Sequence, residues 1–187
     1  MAKIRTFIAV ELPEEMKQGL ARLQADLRKH GARVSWTRPE GLHVTLKFLG
    51  NVEEGRIEAI SEAVRTAVSG TARPRLTVAG TGAFPGWGSP RVLWVGVEDE
   101  EGRLGAIQAR LEKELEKLGF EREKRAFKPH LTLGRVKAIG GVRPVSEDLR
   151  NRQVDLGTFE VTQIVVMKSD LKPTGAVYTP LAKIAVD

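Results

Sequence analysis

The stretch GLHVTLKFLG, residues 41–50, places a polar side chain at every second position: His43, Thr45 and Lys47. A β-strand repeats every two residues, so these three share one face while Val44, Leu46 and Phe48 fill the other. The chain holds only 3 histidines, and a second one stands in the same setting. In PHLTLGR, residues 129–135, His130 and Thr132 repeat the spacing and a leucine again follows the threonine. One His-x-Thr on a strand is an ordinary occurrence. Two of them, in different halves of the chain, point to a paired site.

The segments around the motifs read as alternating strands and helices. KIRTFIAVEL (3–12) is strand-like. Pro13 then stands where a first helical turn tolerates it, and EEMKQGLARLQADLRKH (14–30) carries Met16, Leu20, Leu23 and Leu27 at helical spacing before Gly31 ends it. RVSWTR (33–38) and HVTLKFLG (43–50) follow as strands, EEGRIEAISEAVRTAVSG (53–70) as a helix. RPRLTVAGTGAF (73–84) and PRVLWVGVE (90–98) are strands joined by the Gly/Pro-rich PGWGSP. The second half opens with a helix over 101–119. Its Glu112–Glu116 pair is repulsive, so its support must come from the stripe Leu104, Ile107, Leu111, Leu115, Leu118. The second motif, a short helical piece at PVSEDLRN (144–151), a strand-pair candidate at FEVTQIVVMKSDL (159–171) and AVYTPLAKIAV (176–186) complete the chain.

Neighbouring strands lie too close in sequence for crossovers, so antiparallel pairing should dominate and the fold class is α+β. Each motif follows a helix, and their separation exceeds the roughly 20–50 residues of solenoid repeats. The pattern implies two lobes related by a rough two-fold, each a mainly antiparallel sheet with helices on its outer face. Each lobe gives one motif strand to a shared cleft. No linker divides the 187 residues, and the expected unit is a single two-lobed domain, 1–187.

Composition bounds the partners. With 41% hydrophobic and 29% charged residues and no long apolar run, the chain suits a globular protein off the membrane. MAKIRTFIAVELP at the start has too short an apolar stretch for a signal and reads as a strand. The absence of cysteine excludes disulfides, thiolate nucleophiles and cysteine zinc sites, and fits the cytoplasm. Thirty Lys and Arg against 24 Asp and Glu give a net charge of +6, which favours a polyanionic partner.

Two imidazoles can divide acid–base work, one accepting a proton while the other donates. Two Thr hydroxyls, about 6–7 Å along each strand from their histidines, can donate hydrogen bonds to the non-bridging oxygens of a group held between the strands. That set suits a phosphodiester and requires no metal or other cofactor. Zinc would ask for three or four protein ligands, and neither motif has an acidic partner at metal-binding spacing. His30, in RKHG, suits a helix C-terminus as a dipole partner outside the chemistry.

LHVTLKFLG together with FKPHLTLGR resembles the paired signature of the two-histidine phosphoesterases, specifically the RNA 2′,3′-cyclic phosphodiesterases, also called 2′-5′ RNA ligases or LigT-like proteins. RTFIAVELP, RPEGLHVTLKFLG and RVLWVGV carry the likeness over nearly the whole chain. The resemblance implies a bilobal fold and hydrolysis of an RNA 2′,3′-cyclic phosphate end, or a cyclic nucleotide, to a 2′-phosphate. It implies His43 as proton donor to the leaving 3′ oxygen and His130 as the base that activates water; spacing alone leaves these roles open. Ligation through the same histidines and a non-catalytic RNA-binding module are the alternatives.

Thr45 and Thr132 are the expected phosphate donors. Lys47 shares their face and is a candidate phosphate contact. The resemblance also places Arg135 at the phosphate, although strict alternation from His130 turns it away unless Gly134 hosts a bulge. Lys128 precedes the second motif in a cationic run, and Phe84 and Trp87 are candidates for stacking on a base. Trp36 and Trp94 read as core. A monomer is expected.

Overall fold

The computed structural model describes residues 2–187. Among these residues nine strands form two sheets. The first has the order β3 (His43–Glu53), β1 (Lys3–Glu11), β8 (Gln163–Lys172), β9 (Gly175–Ala185). The second has the order β2 (Val34–Trp36), β6 (His130–Val136), β5 (Val92–Asp99), β4 (Arg75–Phe84), β7 (Asp155–Glu160). Every neighbouring pair is antiparallel, but only β4–β5 and β8–β9 are joined by short connections; the other pairings bring together strands distant in sequence.

The sheets are not the two halves of the sequence. β2 leaves the N-terminal half to pair with β6, and β8 and β9 return to the sheet of β1 and β3. The run 159–171 is likewise two strands in two sheets. Val161, fully buried, marks the crossing, with its N–H donating to Pro74 O at 2.8 Å. β7 begins earlier than the hydrophobic pattern suggests because Asp155–Glu160 is recruited by the edge of β4.

Helices α1 (Glu14–Arg28), α2 (Ile57–Val68), α3 (Arg103–Lys117) and α4 (Arg143–Asn151) cover the outer faces. α2 lies against β8 and β9, α3 against β3, β5 and α2, α4 against β4, and α1 against β7 and α4. Their apolar stripes are the ones the periodicity marks: Leu20, Leu23 and Leu27 on α1, Leu104, Ile107, Leu111 and Leu115 on α3. These pack with Ile8, Val10, Val44 and Leu46 of the first sheet and Leu93, Val95, Leu131 and Leu133 of the second in one continuous core. Each fully buried leucine contributes roughly 1.5–3 kcal/mol. Alternate residues point the other way, and Phe7, Ala9, Val165 and Met167 form a small separate cluster under Tyr178 on the inner face of the first sheet. Among the described residues no helix is long and apolar enough to cross a membrane.

Candidate active site

The two inner faces bound a cavity of about 970 Å³ whose walls include His43 and Thr45 from β3, His130, Thr132 and Arg135 from β6, and Tyr178 from β9. The two motif strands therefore meet across one cleft. Both are bulged at the same place. On β3, Thr45 pairs with Ala9 and Lys47 with Ile8, so Leu46 has no partner across the ladder. On β6, Thr132 pairs with Trp94 and Gly134 with Leu93, so Leu133 has none.

Each bulge frees a leucine carbonyl that a buried helix glutamine receives. Gln24 Nε2 of α1 donates to Leu133 O at 2.9 Å and to Thr37 O at 2.6 Å, and the Thr37 N–H also reaches Leu133 O at 2.9 Å. Gln108 Nε2 of α3 approaches Leu46 O at 3.5 Å. The bulge on β6 also needs a glycine beside it: a Cβ on Gly134 would stand 2.6 Å from Val34 Cγ1 and 3.1 Å from Ser35 O, because β2 packs directly on it.

A one-residue bulge reverses the phase of everything after it. Arg135 consequently joins His130 and Thr132 at the cleft wall, with Leu133 as the extra residue beside Gly134. The same shift corrects the placement of Lys47. It pairs with Ile8, turns to the helix side and is buried, its Nζ donating to Glu112 Oε2 at 2.8 Å and to Glu121 O at 2.6 Å. Its ammonium is thus engaged by Glu112 and Glu121, although Lys47 still contributes to the lining of the cavity. Phe48, expected on the core face, takes the position that Arg135 has on the other strand; it stands 61% exposed at the cleft rim, packed on Phe7.

Each histidine rests on aromatic rings. His43 stacks on Phe7 at 4.8 Å between centroids and meets the edge-on Tyr178 at 5.0 Å. Burial in this setting, with a smaller contribution from the Lys17 charge, lowers the His43 pKa from 6.5 to about 4. Burial raises the Tyr178 phenol above its ordinary value, although the Arg5 and Arg135 charges oppose the rise. His130 meets the edge of Phe84 at 5.0 Å, with Trp94 beyond at 6.1 Å. Its Nδ1 lies 2.7 Å from Lys128 O. A carbonyl only accepts, so Nδ1 carries the proton and Nε2 is the nitrogen left to act as acceptor.

Phe84 is therefore a wall of the His130 pocket as well as part of the cavity lining. Lys128 lies over Phe84 and Trp94, at 5.8 and 5.1 Å from their ring centroids. Trp94, read from sequence as core, pairs with Thr132 on the inner face instead. Its indole occupies the space above Gly82, where a Cβ would come within 2.0 Å of Cζ2. Trp36, by contrast, packs partly buried against the main core, as does Trp87, which is not among the residues lining the cavity. His30 lies away from the cleft: its Nε2 is 2.7 Å from Asp148 Oδ2, which ties α1 to α4. Arg152 first, and His30 second, hold the Asp148 carboxyl down at about 2.

Sequence reasoning missed Tyr178, Phe48 and Arg91 at the cleft, whereas Arg125 belongs to the cationic run before the second motif; all four line the cleft. Tyr178 is the single tyrosine, but only the β8–β9 register, pairing it with Ser169, brings it beneath His43. Among the described residues no three His, Cys, Asp or Glu side chains gather to hold a metal ion.

A family model described as LigT like Phosphoesterase matches the chain twice in succession, over residues 10–94 and 95–178. The chain belongs to the LigT-like phosphoesterases. The tandem match agrees with the duplicated strand, bulge and glutamine anchor. The RNA 2′,3′-cyclic phosphodiesterase of Methanothermobacter thermautotrophicus is 37% identical over 180 residues, covering 96% of this chain and 97% of that protein. The protein of the same description from Thermotoga maritima is 37% identical over 180 residues, covering 95% and 93%. Among solved structures, TT0787 of Thermus thermophilus superposes with a TM-score of 0.82 at 31% identity, covering 98% of both chains. This LigT-like chain thus shares the two-sheet α+β architecture of its relatives end to end.

Proposed function

We propose that this chain hydrolyses the 2′,3′-cyclic phosphate at an RNA 3′ end to a 2′-phosphate, by acid–base catalysis between His43 and His130. The observation that carries the reading is the pair of His-x-Thr strands facing each other across one cleft with Arg135 beside them. The names of the relatives at 37% identity supply the substrate class.

In this reading a water attacks phosphorus and gives its proton to His130 Nε2. The bond from phosphorus to O3′ breaks, and O3′ takes a proton from His43. The products are a 2′-phosphomonoester and a 3′ hydroxyl; His43 ends neutral and His130 charged, and exchange with solvent resets both. Thr45 and Thr132 donate to the non-bridging oxygens, and Arg135 offsets their charge. His43 is held neutral in the free protein, at a pKa of about 4. A bound phosphodiester anion supplies the opposite charge that lets the ring carry its proton at neutral pH. Chemistry then waits for substrate, which limits idle protonation of the site.

The cleft, at about 970 Å³, has room for a nucleotide and part of its neighbour, and Arg91, Arg125 and Lys128 on its walls suit a phosphate backbone. We read the chain as one two-lobed unit acting as a monomer in the cytoplasm.

The test is His43→Ala and His130→Ala with a cyclic-phosphate-ended oligonucleotide. Each variant should lose about 10²-fold or more in kcat while still binding the RNA. Turnover retained in both variants removes the two-histidine mechanism. A longer, 2′-5′-linked product when a 5′-hydroxyl RNA is added shows ligation in place of hydrolysis, and binding without turnover in the unmodified protein shows a binding module.

A further inference from the structure

Glu112 of α3 is buried together with Lys47 and Gln108, at the end of the cavity where α3 meets β3, and all three contribute to its lining. Its Oε2 accepts from Lys47 Nζ at 2.8 Å and from the Glu123 N–H at 3.2 Å, and its Oε1 accepts from Gln108 Nε2 at 3.1 Å. Lys47 Nζ also donates to Glu121 O at 2.6 Å. One carboxylate and one ammonium thereby join three pieces of chain: the His43 strand, helix α3, and the irregular segment between α3 and β6.

That segment forms one rim of the cleft. Glu123, Arg125, Ala126, Phe127 and Lys128 all line the cavity, and the segment ends on His130. The Lys47–Glu112 pair holds its backbone at Glu121 O and Glu123 N, two residues before Arg125. Upstream, Arg56 bonds Leu118 O and lies over the Phe120 ring at 4.8 Å. Downstream, Phe127 packs on the core. Between these anchors the buried pair is the tie to the rest of the molecule that reaches the backbone. A buried ion pair is strongly sensitive to loss of one partner, because the other is left charged and unpaired out of water.

We propose that Lys47 and Glu112 are positioning residues that fasten the 121–128 rim to the His43 strand, so that Arg125 and Lys128 are preset to bind the RNA phosphates beyond the reacting one. This use of the rim rests on reading the cleft as an RNA site; the fastening itself does not. Both residues reach the cavity lining, but their charged groups are committed to each other, to Gln108 and to the rim backbone. The pair acts on substrate binding through the rim, and it ties the two motif strands together along a path separate from the main core.

The experiment compares the unmodified protein with Glu112→Gln, Lys47→Met and the double variant Lys47→Met/Glu112→Met, using an oligonucleotide with a 2′,3′-cyclic phosphate end and hydrogen exchange of the rim amides. Each single variant should raise KM about ten-fold with kcat changed far less, as expected when a binding element is misplaced rather than a catalytic one lost. Amide exchange over 121–126 should quicken in both single variants. The double variant, in which an apolar pair replaces the buried charges, should be more stable than either single variant while KM and rim exchange stay raised, because both bonds to the rim backbone are gone, and it keeps the test valid if a single variant folds poorly. The proposal is overturned if Glu112→Gln leaves KM and rim exchange unchanged. It is equally overturned if Lys47→Met abolishes turnover while Glu112→Gln, which frees the ammonium, does not; Lys47 would then be a direct phosphate ligand. Quickened rim exchange in a protein without RNA turnover would keep the fastening and discard the RNA reading.

Discussion

His43 should titrate near pH 4 in the free protein and near neutrality once a phosphate fills the cleft. Stacked on Phe7 and closed in by Tyr178, the ring has a pKa lowered from 6.5 to about 4, burial being the larger cause and Lys17 the smaller. At pH 7 only about one free molecule in a thousand carries the charged ring, by the ordinary titration curve. A phosphate charge about 4 Å away, at an effective dielectric near 20, attracts the imidazolium by about 4 kcal/mol. At about 1.4 kcal/mol per pH unit this lifts the pKa by about three units. The assay is the pH dependence of the His43 ring Cε1–H resonance, free and saturated with 2′-AMP, assigned by its loss in His43→Ala. A free pKa of 6 to 7, or a value unmoved by 2′-AMP, refutes the reasoning. Stability follows the same sign. The folded value lies below the unfolded one, so between about pH 6.5 and 4 the unfolded chain takes the proton first, and His43 costs stability progressively as pH falls. Above pH 6.5 it costs none.

Gly82→Ala drives a methyl group into the Trp94 indole, and the over-packing should cost about 1–3 kcal/mol, read as a lower thermal midpoint together with lower activity as the bed under His130 shifts. An unchanged midpoint would mean the indole has room that the geometry denies. Arg135→Ala should weaken 2′-AMP binding by about ten-fold or more, in line with the roughly 1.5–3 kcal/mol of a hydrogen bond to a charged group, measured by calorimetry. Treatment with EDTA should leave turnover unchanged, since two imidazoles supply both proton transfers.

The strand and helix sequence, the antiparallel pairing and the two motif strands are legible in the residues because period-two and period-3.6 patterns report directly which face meets the core. What the pattern does not carry is a bulge. Leu46 and Leu133 look like ordinary inward leucines and are buried as such, yet each is the extra residue after which the alternation changes sides. On β6, Gly134 gives a hint, and Arg135 turns to the cleft with His130. On β3 no glycine marks the place, so Lys47 reads as cleft-facing and Phe48 as core, the reverse of what the register shows. Glu112 reads as a repulsive partner of Glu116, whereas it turns inward to Lys47 and Glu116 pairs with Arg122. Tyr178 and Trp94 become neighbours of the histidines only through strand pairings across long stretches of chain, which no local pattern encodes.

Product identity tests the proposed reaction most directly. An RNA oligonucleotide ending in a 2′,3′-cyclic phosphate, incubated with the protein and followed by phosphorus NMR, should yield a 2′-phosphomonoester with a free 3′ hydroxyl as the sole product. A 3′-phosphate, or a cyclic end that stays intact over hours between pH 5 and 9, contradicts it.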